Sequence, residues 1–232
     1  MGTEVLESGP LSPGPCGNLK RAPGLLEQNA LDSRDSMDAV RLFVAVMLFL
    51  SVPPAFGLWF AIHPFARSWR RIGAVGTYAV LMIPAVLFGW ALWRMRARLI
   101  GADLGLQPSL LVLGALAAVV GSWIAVARRR HLTHRILVGV PELSSIDKGR
   151  LLTEGIYGRV RNPRYIEFLL FVLAYACVAN FSGVWVLVVL SVPTLHLIVL
   201  LEESELRDRF GAEYDEYCRR VPRWRLSIGR PA

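Results

Sequence analysis

Residues 168–201 read FLLFVLAYACVANFSGVWVLVVLSVPTLHLIVLL, 34 positions without a charge, and directly before them GIYGRVRNPRY at 155–165 carries three arginines and an Asn-Pro break. As one helix the uncharged run is roughly 51 Å long at about 1.5 Å per residue, too long for a single crossing of a hydrocarbon core about 30 Å thick. A turn is therefore predicted at ANFSG, 179–183, where Asn, Ser and Gly cluster. The two legs left over have about 15 residues each, short of the roughly 20 that a comfortable span takes. The first leg must then begin inside the arginine motif. Pro163 is its natural start, because a missing N–H is harmless in a first helical turn. Length alone presses the motif against the membrane boundary.

Three further uncharged runs precede it, Leu42–Ile62, Ile72–Trp93 and Leu106–Ala127, of 21 or 22 residues each. Each matches one crossing, and the Pro53-Pro54 pair predicts a kink in the first. The whole chain agrees with this reading. Its 232 residues are 54% hydrophobic and only 19% charged, with a mean hydropathy of +0.44, well above ordinary soluble domains. The expected architecture is an all-α membrane protein with about five transmembrane helices, the last two a hairpin, and a C-terminal amphipathic helix. Residues 1–38, rich in Gly, Pro, Ser and acids, read as a flexible tail without the basic-then-apolar order of a signal peptide. Residues 39–127 hold the first three membrane helices, and 128–232 the part that carries chemistry.

The net charge of +8 would suggest nucleic acid in a soluble protein, but here basic residues flank apolar runs, so anionic membrane lipid is the simpler partner and nucleic acid is not expected. With five crossings and the N-terminus outside, 19 of the 26 basic residues fall on the cytoplasmic side. This orientation puts the motif loop and the C-terminal segment in the cytoplasm together. Cys16, Cys177 and Cys218 show no spacing for a disulfide framework or zinc site. His131 and His134 sit in a basic stretch that opposes a metal, and no metal is expected. Arg128–Arg130 read as a positive-inside anchor.

After Leu201 comes EESELRDRFGAEYDEYCRRVPRW, in which Leu206, Phe210, Tyr214, Tyr217 and Val221 fall at helical spacing. That stripe predicts a helix lying on the membrane surface. It leaves Glu202 and Glu203 unexplained, since acids at the end of a membrane helix are costly unless partnered or functional.

G-x-Y-x-x-x-R-N-P-x-Y at 155–165 followed by E-E-x-x-L-x-x-x-F-G-x-x-Y-x-x-Y-x-x-x-V-P at 202–222, with a helix hairpin between, resembles the isoprenylcysteine carboxyl methyltransferase family. That family sits in a wider group of integral membrane methyltransferases that includes the phospholipid N-methyltransferases. The resemblance covers roughly residues 150–223. It implies S-adenosylmethionine as methyl donor and a lipophilic, membrane-resident acceptor, with carboxyl O-methylation of an isoprenylcysteine-like group as the family case. Phospholipid or other small-lipophile N-methylation is the rival enzyme reading, and a non-catalytic protein that keeps the fold is the rival outside enzymes.

The residue chemistry suits such a donor. Glu202 and Glu203 can hold its ammonium or balance its sulfonium, and Arg161 can pair with its carboxylate through a planar fork. Tyr157 and Tyr165 offer flat faces with a polar tip, Asn162 both donates and accepts, and Gly155 admits close backbone approach. Arg161 and Glu203 are the catalytic candidates, acting by positioning and electrostatics. Glu167 stands where the family commonly has Gly; it could crowd the donor, pair with Arg164 or touch the acceptor. His196, seven residues before Glu203 and so on one helix face, is the second candidate contact to the acceptor.

Overall fold

The computed structural model describes residues 25–69, 71–130 and 151–225, with side chains from 33 onward apart from those of 66 and 67. The chain divides into two units, Met1–Met37 and Asp38–Ala232. In the first, residues 25–37 are helical, which corrects the expectation of a flexible tail through residue 38. Their Leu, Glu, Gln and Ala content favours helix, and no proline interrupts it. Residues 1–24 lie outside the described residues, as do His131 and His134.

The elements in chain order are α1 (Leu25–Ile62), α2 (Ala66–Trp69), α3 (Gly73–Ile100), α4 (Pro108–Arg129), a 3-10 turn (Gly155–Gly158), α5 (Pro163–Ala179), α6 (Ser182–Phe210) and α7 (Ala212–Arg220). Among the described residues, four helices are long and apolar enough to span a membrane: Ser33–Ile62 of α1, α3, α4 and α6. The fifth, α5, has 17 residues, at the low end of the roughly 17–25 that suffice. It begins at Pro163, as the length argument required. Helix α1 runs unbroken through Pro53 and Pro54.

The hairpin turn falls at Asn180, inside the predicted 179–183, with left-handed φ 48° and ψ 53°. Asn tolerates this region better than most residues. Its side-chain amide donates to Gly105 O at 2.7 Å and accepts from Trp185 Nε1 at 2.9 Å. Its backbone oxygen accepts from Leu104 N at 3.0 Å. A Cβ at Gly183 would lie 1.7 Å from Leu99 O, so α3 and α6 meet here by backbone approach alone.

Helix α5 packs along α4 in the same manner. A Cβ at Gly114 would stand 2.9 Å from Cys177 Cβ and 3.1 Å from Ala174 O. On the other side of α5, Phe56 and Trp59 of α1 meet Tyr165 and Phe168 in a cluster of tilted and edge-on rings. Many aliphatic side chains of α3, α4 and α6 remain exposed, as helices facing lipid require.

The C-terminal region departs from expectation. The membrane helix does not stop at Leu201; α6 continues through Glu202 and Glu203 to Phe210 and breaks at Gly211, whose φ is +55°. Between Leu201 and Gly211 there is neither Gly nor Pro, so nothing breaks the helix earlier. The amphipathic helix is present as α7, only nine residues long. Its apolar stripe does not face lipid. Tyr214, Tyr217 and Val221 are buried in one cluster with Leu151, against Leu206 and Phe210. The stripe packs the C-terminal segment back onto the motif.

Candidate functional site

The two motifs meet at one end of the bundle, and backbone geometry builds the junction. Gly155 takes φ +62°, a conformation that favours glycine, and starts the 3-10 turn. Tyr217 Oη donates to Tyr157 O at 2.7 Å, tying that turn to α7. Arg161 N donates to Pro222 O at 3.0 Å. The tyrosine stripe thus anchors the motif loop.

At the centre lies Glu203, its side chain 2% exposed. Arg223 donates from Nε to Glu203 Oε1 at 2.8 Å and from its terminal nitrogen to Oε2 at 2.6 Å, a bidentate pair. Asn162 Nδ2 donates to Oε1 at 3.3 Å. Arg161 approaches the same oxygen only to 3.6 Å. Glu203 is therefore engaged within the protein, and its expected part in holding the donor's cation is already filled by Arg223. Its neighbour is different: Glu202 Oε2 and Arg161 Nε are both buried and without a hydrogen-bond partner among the described residues. One acceptor and one donor of opposite charge are left over where the motifs converge.

Tyr157 stands near Glu202. Burial pushes its phenol up to about 12, with Arg128 pulling the other way and Glu202 adding to the rise. Burial also raises the phenols of Tyr214 and Tyr217. All three rings enter as neutral hydrogen-bonding groups.

Tyr165 is brought elsewhere. It is buried with its ring edge-on to Trp59 at 5.4 Å, in the α1–α5 core, so it supports α5 instead of offering a face at the site. Arg164 reaches the same aromatic group, its guanidinium 5.3 Å from the Trp59 ring centre. Glu167 pairs with Arg128, not with Arg164: Arg128 donates from Nε at 2.8 Å and from a terminal nitrogen at 3.2 Å. Arg128 is accordingly a buried partner between α4 and α5, not a surface anchor. With both oxygens occupied, Glu167 presents no free carboxylate at the position where the family has Gly. His196 is exposed on α6, its ring 6.0 Å from Trp224, while Arg223 next to Trp224 reaches Glu203. Neighbouring residues of the segment after α7 thus touch both His196 and Glu203.

Sequence reasoning missed Arg223, Trp224 and the role of Arg128. The V-P step at 221–222 was the only signal for the first two, as it returns the chain toward the motif. Nothing in spacing links residue 128 to 167.

The fold is that of an all-α membrane protein, and the paired motifs resemble those of the integral membrane methyltransferases. Residues 109–213 match the phospholipid methyltransferase family, one branch of that group, and the match spans α4, the 3-10 turn, α5, α6 and the start of α7. No solved structure matches the chain.

Proposed function

We propose that the protein transfers a methyl group from S-adenosylmethionine to a lipophilic acceptor in the membrane. The observation that carries this reading is the pair of buried, unpartnered atoms, Glu202 Oε2 and Arg161 Nε, at the junction of the two motifs. Buried polar atoms without partners are uncommon, because each forfeits its hydration without return. A zwitterionic amino acid moiety next to a sulfonium supplies both missing partners: its carboxylate for Arg161 and its cationic groups for Glu202. The residues present therefore fit the donor.

In this reading Arg161 holds the carboxylate and Glu202 the cationic side. Tyr157 offers its ring and neutral hydroxyl, and the bare backbone at Gly155 permits close approach. Glu203 passes from direct ligand to positioning residue, fixing Asn162 and Arg223. The donor supplies an electrophilic methyl carbon, so the protein needs no nucleophile of its own. What it contributes is alignment and a charge-balanced, water-poor site. The exposed apolar faces of α3, α4 and α6 give a membrane-dissolved acceptor a route that avoids water.

Two acceptor chemistries stand behind this. The paired motifs favour carboxyl O-methylation of an isoprenylcysteine-like group, whose carboxylate is already ionised at neutral pH. The family match at 109–213 favours a phospholipid amine. For the amine, Glu167 is a poor base, since Arg128 occupies both its oxygens. The arginine distribution supports a cytoplasmic position for this end of the bundle.

The test is calorimetric titration of detergent-purified, full-length protein with S-adenosylhomocysteine, beside Arg161→Lys. Saturable binding that weakens at least about tenfold in the variant is expected, since a point charge replaces a fork. No binding by folded wild-type protein would remove the donor and leave a non-catalytic bundle. Product analysis with a prenylated cysteine and with a phosphatidylethanolamine as acceptors then separates the two chemistries.

A further inference from the structure

Arg223 lies outside the family match, which ends at residue 213, yet it makes the shortest contacts to the buried carboxylate at the centre of the site. Two guanidinium groups converge on Glu203. Arg223 wins it with hydrogen bonds of 2.8 and 2.6 Å, and Arg161 stays at 3.6 Å, outside hydrogen-bond reach, with its Nε unpartnered. The winner is the more exposed of the two, its side chain 30% accessible against 10% for Arg161. Desolvation does not explain that choice, because an exposed arginine gives up less by remaining in water.

What holds Arg223 there is the strap formed by residues 221–224. Pro222 O accepts from Arg161 N at 3.0 Å, Arg223 O accepts from Asn162 Nδ2 at 3.5 Å, and Trp224 sets its ring against His196. Val221 is buried against α7. The strap touches both motifs and leaves the Arg223 fork aligned with the carboxylate.

We infer that Arg223 is a positioning residue that neutralises Glu203 so that Arg161 remains available to an anion, the carboxylate of the methyl donor. This rests on the reading of Arg161 in the proposed function. Without Arg223, the nearest cation to a buried carboxylate is Arg161, and a shift of less than an ångström from 3.6 Å closes that pair. A buried carboxylate left uncompensated is strongly unfavourable, so the shift is driven. Arg161 would then be consumed and the anion site lost, with no donor-binding residue having been altered.

The experiment compares S-adenosylhomocysteine affinity by titration calorimetry for full-length wild type, Arg223→Gln, Arg223→Lys and the double variant Arg223→Gln/Glu203→Gln, each with a melting curve in the same detergent. Arg223→Gln is expected to bind at least about tenfold more weakly, the value of one lost charge-assisted contact. The double variant is expected to recover most of that loss, since a neutral residue 203 no longer captures Arg161. A structural role for Arg223 makes the double variant at least as weak as the single one. That outcome, or an Arg223→Gln protein that binds like wild type, overturns the inference while leaving the donor reading intact. If Arg223→Gln does not fold, Arg223→Lys and the double variant decide: the lysine still neutralises Glu203 and the double variant strands no carboxylate, so both are expected to bind within a few-fold of wild type, and a loss of about tenfold or more in either overturns the inference. Failure of the wild type itself to bind removes the donor reading, and the inference with it.

Discussion

The two ends of the helical bundle use the same vocabulary and reach opposite results. At the hairpin end an arginine, two aspartates and an asparagine close the structure. Arg41, almost wholly buried, pairs with Asp103 and with Asp38 at 2.8 Å. Asn180 uses its backbone N–H, its backbone carbonyl and both side-chain atoms. At the motif end arginines, glutamates and an asparagine also gather, but the accounts do not close. Glu203 is over-supplied with cations while Glu202 and Arg161 each keep a buried atom in reserve. The closed end leaves only Arg41 Nε over, with no opposing acceptor left beside it among the described residues. Identical residue types therefore do not mark a site. A site is marked by complementary groups left unmatched where two elements meet.

This comparison can be broken at its closed end first, where the largest effect is expected. Gly183→Ala puts a Cβ 1.7 Å from a backbone oxygen, and neither backbone can yield as a flexible side chain would. The loss should be about 3 kcal/mol or more, at or above the usual overpacking range. It would be read as collapse of the melting transition or of monodisperse yield. A well-folded variant with near-native melting would show that the α3–α6 approach is looser than described.

The next effect tests a pair at the motif end whose charges do match. Arg128 and Glu167 are about nine-tenths buried, with side chains 9% and 12% exposed. Arg128→Met should cost about 3–5 kcal/mol, because an unpaired carboxylate remains inside. Arg128→Met with Glu167→Leu should cost clearly less, since no charge is stranded. Equal destabilisation of single and double variants in denaturant or thermal unfolding would argue that Arg128 acts through packing alone.

The smallest effect concerns pH and sharpens the motif end only. The phenols of Tyr157, Tyr214 and Tyr217 are raised by burial above the free value of 10.0. The folded state keeps these protons when the unfolded chain has begun to lose them. The tyrosine contribution to stability is then constant below pH about 10 and falls as pH rises from 10 toward 12, where Tyr157 itself ionises. Tyr217→Phe removes one of the three groups and also the bond to Tyr157 O, so its decline should be shallower from a lower starting point. An alkaline limb unchanged in slope would assign the loss to other groups.

Much of this protein was legible in the chain because a bilayer imposes lengths. The helix start at Pro163 and the turn at 179–183 followed from counting uncharged residues, and the structure places them at Pro163 and Asn180. The paired motifs pointed to one end of the bundle, and there Arg161 and Asn162 lie beside Glu203 while Tyr217 reaches the backbone of Tyr157. Where counting fails is in assigning partners. Residue types cannot say whether Arg128 or Arg164 takes Glu167, since both lie within a side chain's reach on some packing. Nor does the order EESELRDRF reveal that α6 continues to Phe210, because competent helix formers permit both endings.

The sequence by itself determined which segments form long apolar helices, where the hairpin turns and which two motifs lie at one end. These depend on length and hydropathy, which are local and additive. Only the tertiary structure decided that Glu203 is spent and Glu202 is not, that the tyrosine stripe faces inward, and that a strap carrying Arg223 completes the site. Those outcomes are competitions among several charges for one partner, and such a competition is settled by distances of less than an ångström between elements far apart in the chain.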